Sequence, residues 1–118
     1  MGQIRVLLVE PGKAPRIVEV ENELRAMQDL VGGFIEAVPM NIPGVVLVCN
    51  GEGKIRGDDP NRFADLGGRI GCVYGTFFIC GSEGEEFASL SPGEEHAYMD
   101  MFGRGRASQE AAKATGGL

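Results

Sequence analysis

Short runs of Val, Ile, Leu, Phe and Cys, each closed by a turn bearing glycine or proline, recur between residues 4 and 80, and this rhythm narrows the fold more than any other feature of the chain. Each run is too brief for a buried helix and has the β-branched and aromatic content of a strand. Nineteen residues are glycine, whereas average usage of roughly 7% predicts about eight. Beside such runs, glycine supplies the positive φ that tight turns between strands require.

Residues 4–9, the Pro11-Gly12 turn and the alternating run 16–20 predict a hairpin. The continuous apolar run 45–49 predicts an interior strand covered on both faces. Asn50-Gly51 with Gly53 then signals a turn into Lys54-Ile55-Arg56, whose alternation predicts a short, half-exposed strand. Asp59 as N-cap, Pro60 at the first helical position, and Phe63 and Leu66 three apart predict a single helical turn over 60–66. Residues 70–80 read as strand, interrupted at Gly71 and Gly75.

Two longer helices are expected. Asn22 stands as N-cap of the first, with Leu24, Met27, Leu30 and Val31 at helical spacing before Gly32-Gly33 stops it. Ser91-Pro92-Gly93-Glu94 has the capping-box pattern with proline at the first helical position, followed by the apolar stripe Tyr98, Met101 and Phe102. Together these elements predict an α+β fold: a mostly antiparallel sheet of about six or seven short strands, two helices on one face, and a short helical turn. Residues 1–103 are expected to form a single domain, and 104–118, rich in Gly, Ala, Ser and charge, a disordered tail.

The net charge of −6 argues against a protein that holds nucleic acid by counterion release. Glu83, Glu85, Glu86, Glu94, Glu95 and Asp100 lie in a stretch without Lys or Arg, which reads as a solvated face. Cys49, Cys72 and Cys80 sit inside apolar runs without a C-x-x-C pair, so buried free thiols in a reducing compartment are expected. The first ten residues carry no signal-like apolar region and no run has the length of a membrane span, which predicts a cytoplasmic protein with no membrane partner. The single histidine, His96, has no Cys or His at ligand spacing, and no metal or cofactor is implied.

Catalytic patterns fail on missing residues. Gly51-Glu52-Gly53-Lys54 is followed by Ile55 rather than Ser or Thr, so the magnesium-holding hydroxyl of a P-loop is absent. No zinc-protease or dinucleotide fingerprint is present, and a non-enzymatic protein is expected. The candidate ligand-binding residues are Asn50, Lys54, Arg56, Asn61 and Arg62, which a hairpin and a following helical turn would present to an anion. The alternative is that the glycines serve turn geometry while Lys54 and Arg56 guard a sheet edge.

The segments IRVLLVEPGKAPRIVEVENELRAMQDLVGGFIEAVP, VLVCNGEGKIRGDDPNR and GTFFICG resemble a small family of unknown function found widely in bacteriophages and bacterial mobile elements. Its most specific element stands here as Asn50, Gly51, Glu52, Gly53 and Lys54, followed by Pro60, Asn61 and Arg62. The resemblance spans residues 4–102 and implies an accessory protein of a phage or mobile element, located in the bacterial host's cytoplasm, with no established activity. Two functions follow as expectations: binding of a host protein, with counter-defence as its sharpest form, or binding of a nucleotide or other small anion through residues 50–62. Open strand edges also raise a homodimer as an expectation.

Overall fold

The computed structural model describes residues 2–66 and 68–104, the last of these through its backbone alone. Eight strands and three helices follow in the order β1 (Gln3–Val9), β2 (Arg16–Glu21), α1 (Leu24–Val31), β3 (Ile35–Pro39), β4 (Val45–Asn50), α2 (Gly53–Arg56), β5 (Pro60–Asp65), β6 (Ile70–Tyr74), β7 (Phe77–Glu83), β8 (Glu86–Ala88) and α3 (Pro92–Arg104). The main sheet has six strands in the order β2-β1-β7-β4-β3, with β8 also paired to β7. Every pairing is antiparallel, and β5–β6 forms a second, two-stranded sheet. The fold is therefore α+β with an antiparallel sheet, as the punctuated apolar runs require.

Strand alternation divides the core into two layers. Val6, Leu8, Val48, Phe78 and Cys80 pack with Met27 and Val31 of α1, while Leu7, Val9, Leu47, Phe77 and Ile79 pack with Tyr98 and Phe102 of α3 and with Ala64 and Val73 of the small sheet. The helices thus lie on opposite faces of the main sheet, which corrects the expectation that both share one face. The physical reason is that both faces of β1, β4 and β7 are apolar, so each must be covered. One helix covers one face, and α3 with the β5–β6 ribbon covers the other. β4 is interior and buried on both faces, as its unbroken apolar run predicts.

Helix α3 starts as its capping box predicts: Glu94 N–H donates to Ser91 Oγ at 3.2 Å and Ser91 N–H donates to Glu94 Oε1 at 2.9 Å. Its stripe is narrower than predicted, since Tyr98 and Phe102 are buried while Met101 is exposed. Helix α1 ends at Gly32 in the left-handed conformation, φ 84°, with its N–H returning to Gln28 O. Its N-cap is Glu23 rather than Asn22, because Asn22 Nδ2 instead donates to Phe87 O at 3.1 Å and ties the helix entry to β8.

Two local expectations are overturned inside residues 50–66. Residues 54–56 form the short helix α2, not a strand; Asn50 Oδ1 accepts the Glu52 N–H at 2.8 Å and curls the chain, and Ile55 is 85% exposed, so the three-residue alternation does not report burial. Residues 60–65 form strand β5, not a helical turn. Pro60 takes the first strand position, where its missing donor does no harm, and Ala64 reaches the core beside Val73. Burial in the ribbon outweighs the local helix-start signal. Of the tail expected over 104–118, residue 104 belongs to α3 through its backbone, and 105–118 lie outside the described residues.

Candidate functional site

The structure distributes the five candidate residues over two separate corners. Asn61 and Arg62 are 0% and 1% exposed. The register of β5 against β6 shifts between Pro60 and Arg62, and this bulge lets two consecutive side chains turn inward, which a regular strand forbids. Asn61 Nδ2 donates to Val9 O at 2.9 Å and to Gly75 O at 2.8 Å. Arg62 donates from Nε to Phe102 O at 2.7 Å, from Nη1 to Asn61 Oδ1 at 2.8 Å, and from Nη2 to Lys13 O at 2.6 Å. The guanidinium thus meets the carbonyl end of α3, where the helix dipole favours a cation. These two residues fasten β1, the β1–β2 turn, the β6–β7 turn and α3 together.

Asn50 and Arg56 meet at the other corner. Buried Asn50 holds the Glu52 N–H, and Arg56 Nη1 donates to Gly32 O, closing the C-terminus of α1. Arg56 Nη2 also lies 3.4 Å from Asp58 Oδ1. Gly53 is required between them: a Cβ there would stand 2.6 Å from Tyr74 O, a backbone atom that cannot move aside cheaply. Lys54 is exposed and lines neither of the clefts at this corner.

Two adjoining clefts share Asp29, Gly32 and Arg56. The larger, of about 590 Å³, is walled by Arg25, Asp29, Glu52 and Arg56 around Gly33 and Phe34. The smaller, of about 430 Å³, includes Asp29, Asp58 and Asp59 with Arg56 as its cation. Charge is therefore balanced in the first and negative in the second, and Arg25 is paired on the rim with Asp29 at 3.4 Å. Phe34, 74% exposed, projects from the larger cleft. Phe34 stands just before β3, outside its range. The signal for its exposure was its position directly after the Gly32-Gly33 stop and outside the strand's pairing, and the Arg25–Asp29 spacing of four marks the polar face of α1.

Nucleophilic chemistry finds no support in the thiols. Burial pushes Cys80 up to about 12, and burial with the nearby Glu36 carboxylate pushes Cys49 up to about 12, so neither forms thiolate at neutral pH. His96 is exposed on α3, lining a depression with Met99, Asp100 and Gly103. Among the described residues, no three of His, Cys, Asp and Glu are grouped to hold a metal ion, and no helix is long and apolar enough to cross a membrane.

Fold and site define a small antiparallel α+β domain with buried polar fastenings and an open, charge-balanced cleft beside an exposed aromatic side chain. The chain belongs to the family described as Domain of unknown function (DUF3846), whose family model matches residues 4–103. No curated protein and no solved structure matches it.

Proposed function

We propose that the protein is a non-enzymatic accessory protein that binds another protein through the corner formed by α1, α2 and the start of β3. The observation that carries this reading is the exposure of Phe34, 74%, in the cleft that Arg25, Asp29, Glu52 and Arg56 also line, with Ile55 of α2 85% exposed beside Arg56 in sequence. A large apolar side chain beside charges of both signs is the anatomy of a protein interface, where an aromatic anchor supplies affinity and the polar rim supplies register. The sequence resemblance to phage and mobile-element proteins supports a host protein as the partner and interference with a host defence as the sharpest form of the activity.

The second reading, a nucleotide or small-anion site built from Asn50, Lys54, Arg56, Asn61 and Arg62, has less support. Arg62 and Asn61 bind backbone carbonyls in the interior, and Arg56 is shared between Gly32 O and Asp58. Affinity capture from bacterial lysate with the wild type and Phe34→Ser tests the first reading, and a thermal-shift series with nucleotides on the wild type and Arg56→Ala tests the second. A captured protein lost with Phe34→Ser at unchanged melting temperature is the expected result. A nucleotide-specific shift that Arg56→Ala abolishes would overturn it in favour of the anion site.

A further inference from the structure

The two outer edges of the main sheet are built differently. The β2 edge carries Arg16, Glu19 and Glu21, all exposed, as charged residues that discourage strand addition. The β3 edge carries Ile35, Glu36, Ala37 and Val38, with one charge, and ends in Pro39. Met40 N–H donates to Val45 O at 2.9 Å, so the register places Val38 with Leu47 and Glu36 with Cys49 as hydrogen-bonded pairs. Ile35, Ala37 and Pro39 therefore aim their backbone groups away from β4. Pro39 has no N–H to offer, which leaves Ile35 and Ala37 with outward donors and acceptors that meet no partner among the described residues.

A second copy of the chain fits this edge poorly. Symmetric pairing of β3 with itself is antiparallel. The register that pairs Ile35 with Ala37 of the copy satisfies both residues but sets Glu36 directly opposite its counterpart, where like charges repel at close range. Moving the register so that Ala37 faces Ala37 relieves the carboxylates but sets Ile35 against Pro39, whose missing donor leaves the Ile35 carbonyl unpaired. The edge discriminates against its own copy while no described residue of the chain covers it.

We infer that the β3 edge binds an extended segment of a different protein by strand addition, with Lys or Arg opposite Glu36 and apolar residues on either side. This rests on the partner-binding reading and names the element the partner contributes. Charge complementarity selects the central residue. The flanking residues would lie on the α1 face of the sheet, where Ile35 lines a cleft of about 270 Å³ with Leu24, Met27 and Phe87, and with Glu23, Glu85 and Glu86. Leu24 is 58% exposed there, and Phe34 stands at the head of the strand.

The test has two arms. In sedimentation experiments the wild type stays monomeric, Glu36→Val dimerises, and adding Ala37→Pro to that variant restores the monomer. A wild-type dimer abolished by Ala37→Pro would overturn the inference by assigning the edge to self-association, and a monomeric Glu36→Val would overturn it by showing that the edge accepts no strand. In the second arm, a display library of short random linear peptides is selected against the wild type. Selected peptides should carry Lys or Arg centrally, slow the exchange of the Ile35 and Ala37 amides, and weaken at least about tenfold on Ala37→Pro, the loss of one or two backbone hydrogen bonds. Glu36→Lys, which leaves the backbone untouched, should shift the selected central residue to Asp or Glu. Peptides that ignore Ala37→Pro but depend on Phe34 would overturn strand addition and leave the partner reading standing, and a selection yielding no edge-dependent peptide would overturn strand addition alone.

Discussion

The Asn61–Arg62 corner and the Asn50–Arg56 corner use the same two side-chain types, yet one is sealed and the other half open. At the sealed corner, backbone carbonyls from β1, the β1–β2 turn, Gly75 and the end of α3 converge on two side chains that water does not reach. At the open corner, Arg56 reaches one carbonyl across the surface and stays in contact with solvent, its side chain 44% exposed. A buried hydrogen bond is lost at the full desolvation penalty of the group left behind, whereas an exposed one is replaced by water. The sealed corner therefore governs stability, whereas at the open one Asn50 is buried and Arg56 alone stays in contact with solvent.

The largest test of this contrast is Arg62→Met, which keeps much of the volume but strands the Phe102 and Lys13 carbonyls. A loss of about 4 kcal/mol in urea denaturation is expected, and a loss below about 1 kcal/mol would mean that water replaces the guanidinium. Asn61→Ala should cost about 2 kcal/mol, because the Val9 and Gly75 carbonyls lose their shared donor. Gly53→Ala forces backbone to move at the α2–β6 contact and should cost about 1–2 kcal/mol; a neutral result there would show that α2 shifts freely. Arg56→Ala should change stability by less than about 1 kcal/mol while weakening partner binding, and a large stability loss would erase the distinction between the corners.

The smallest effect is one of pH at the β1–α3 tether. The Arg5 side chain donates to Glu95 Oε2 at 2.8 Å and holds the Glu95 carboxyl below its usual range, by hydrogen bond first and charge second. A depressed folded pKa stabilises the fold fully above the unfolded value, about 4.3 for Glu, and the contribution fades as pH falls through the folded value. The wild type should therefore lose more stability than Glu95→Gln as pH is lowered below about 4.3. Matching curves for the two proteins would remove the tether as a contributor.

Much of the fold was legible locally. The punctuated runs gave the β1–β2 hairpin and the interior β4, the Ser91–Glu94 box gave the start of α3, and Gly32 gave the end of α1. The misreadings concentrate between residues 50 and 66. There Lys54-Ile55-Arg56 alternates without burial, and Asp59-Pro60 imitates a helix start although the chain pairs with β6. Three-residue patterns carry too little periodic information to separate strand from helix, so pairing partners distant in sequence decide. Asn61 and Arg62 stood out in the sequence as ligand donors, but their inward direction was not legible there, since it depends on a bulge that only the register against β6 creates.

The sequence by itself determined that short strands and glycine turns would build an antiparallel α+β domain, because alternation, capping and turn chemistry act within a few residues. Tertiary structure alone decided that the two main helices cover opposite faces, that Arg62 is buried while Arg56 is not, and that β3 ends the sheet with outward Ile35 and Ala37. Each of these depends on which segments meet across the sheet. Burial and hydrogen-bond satisfaction are properties of those meetings, and no local pattern contains them.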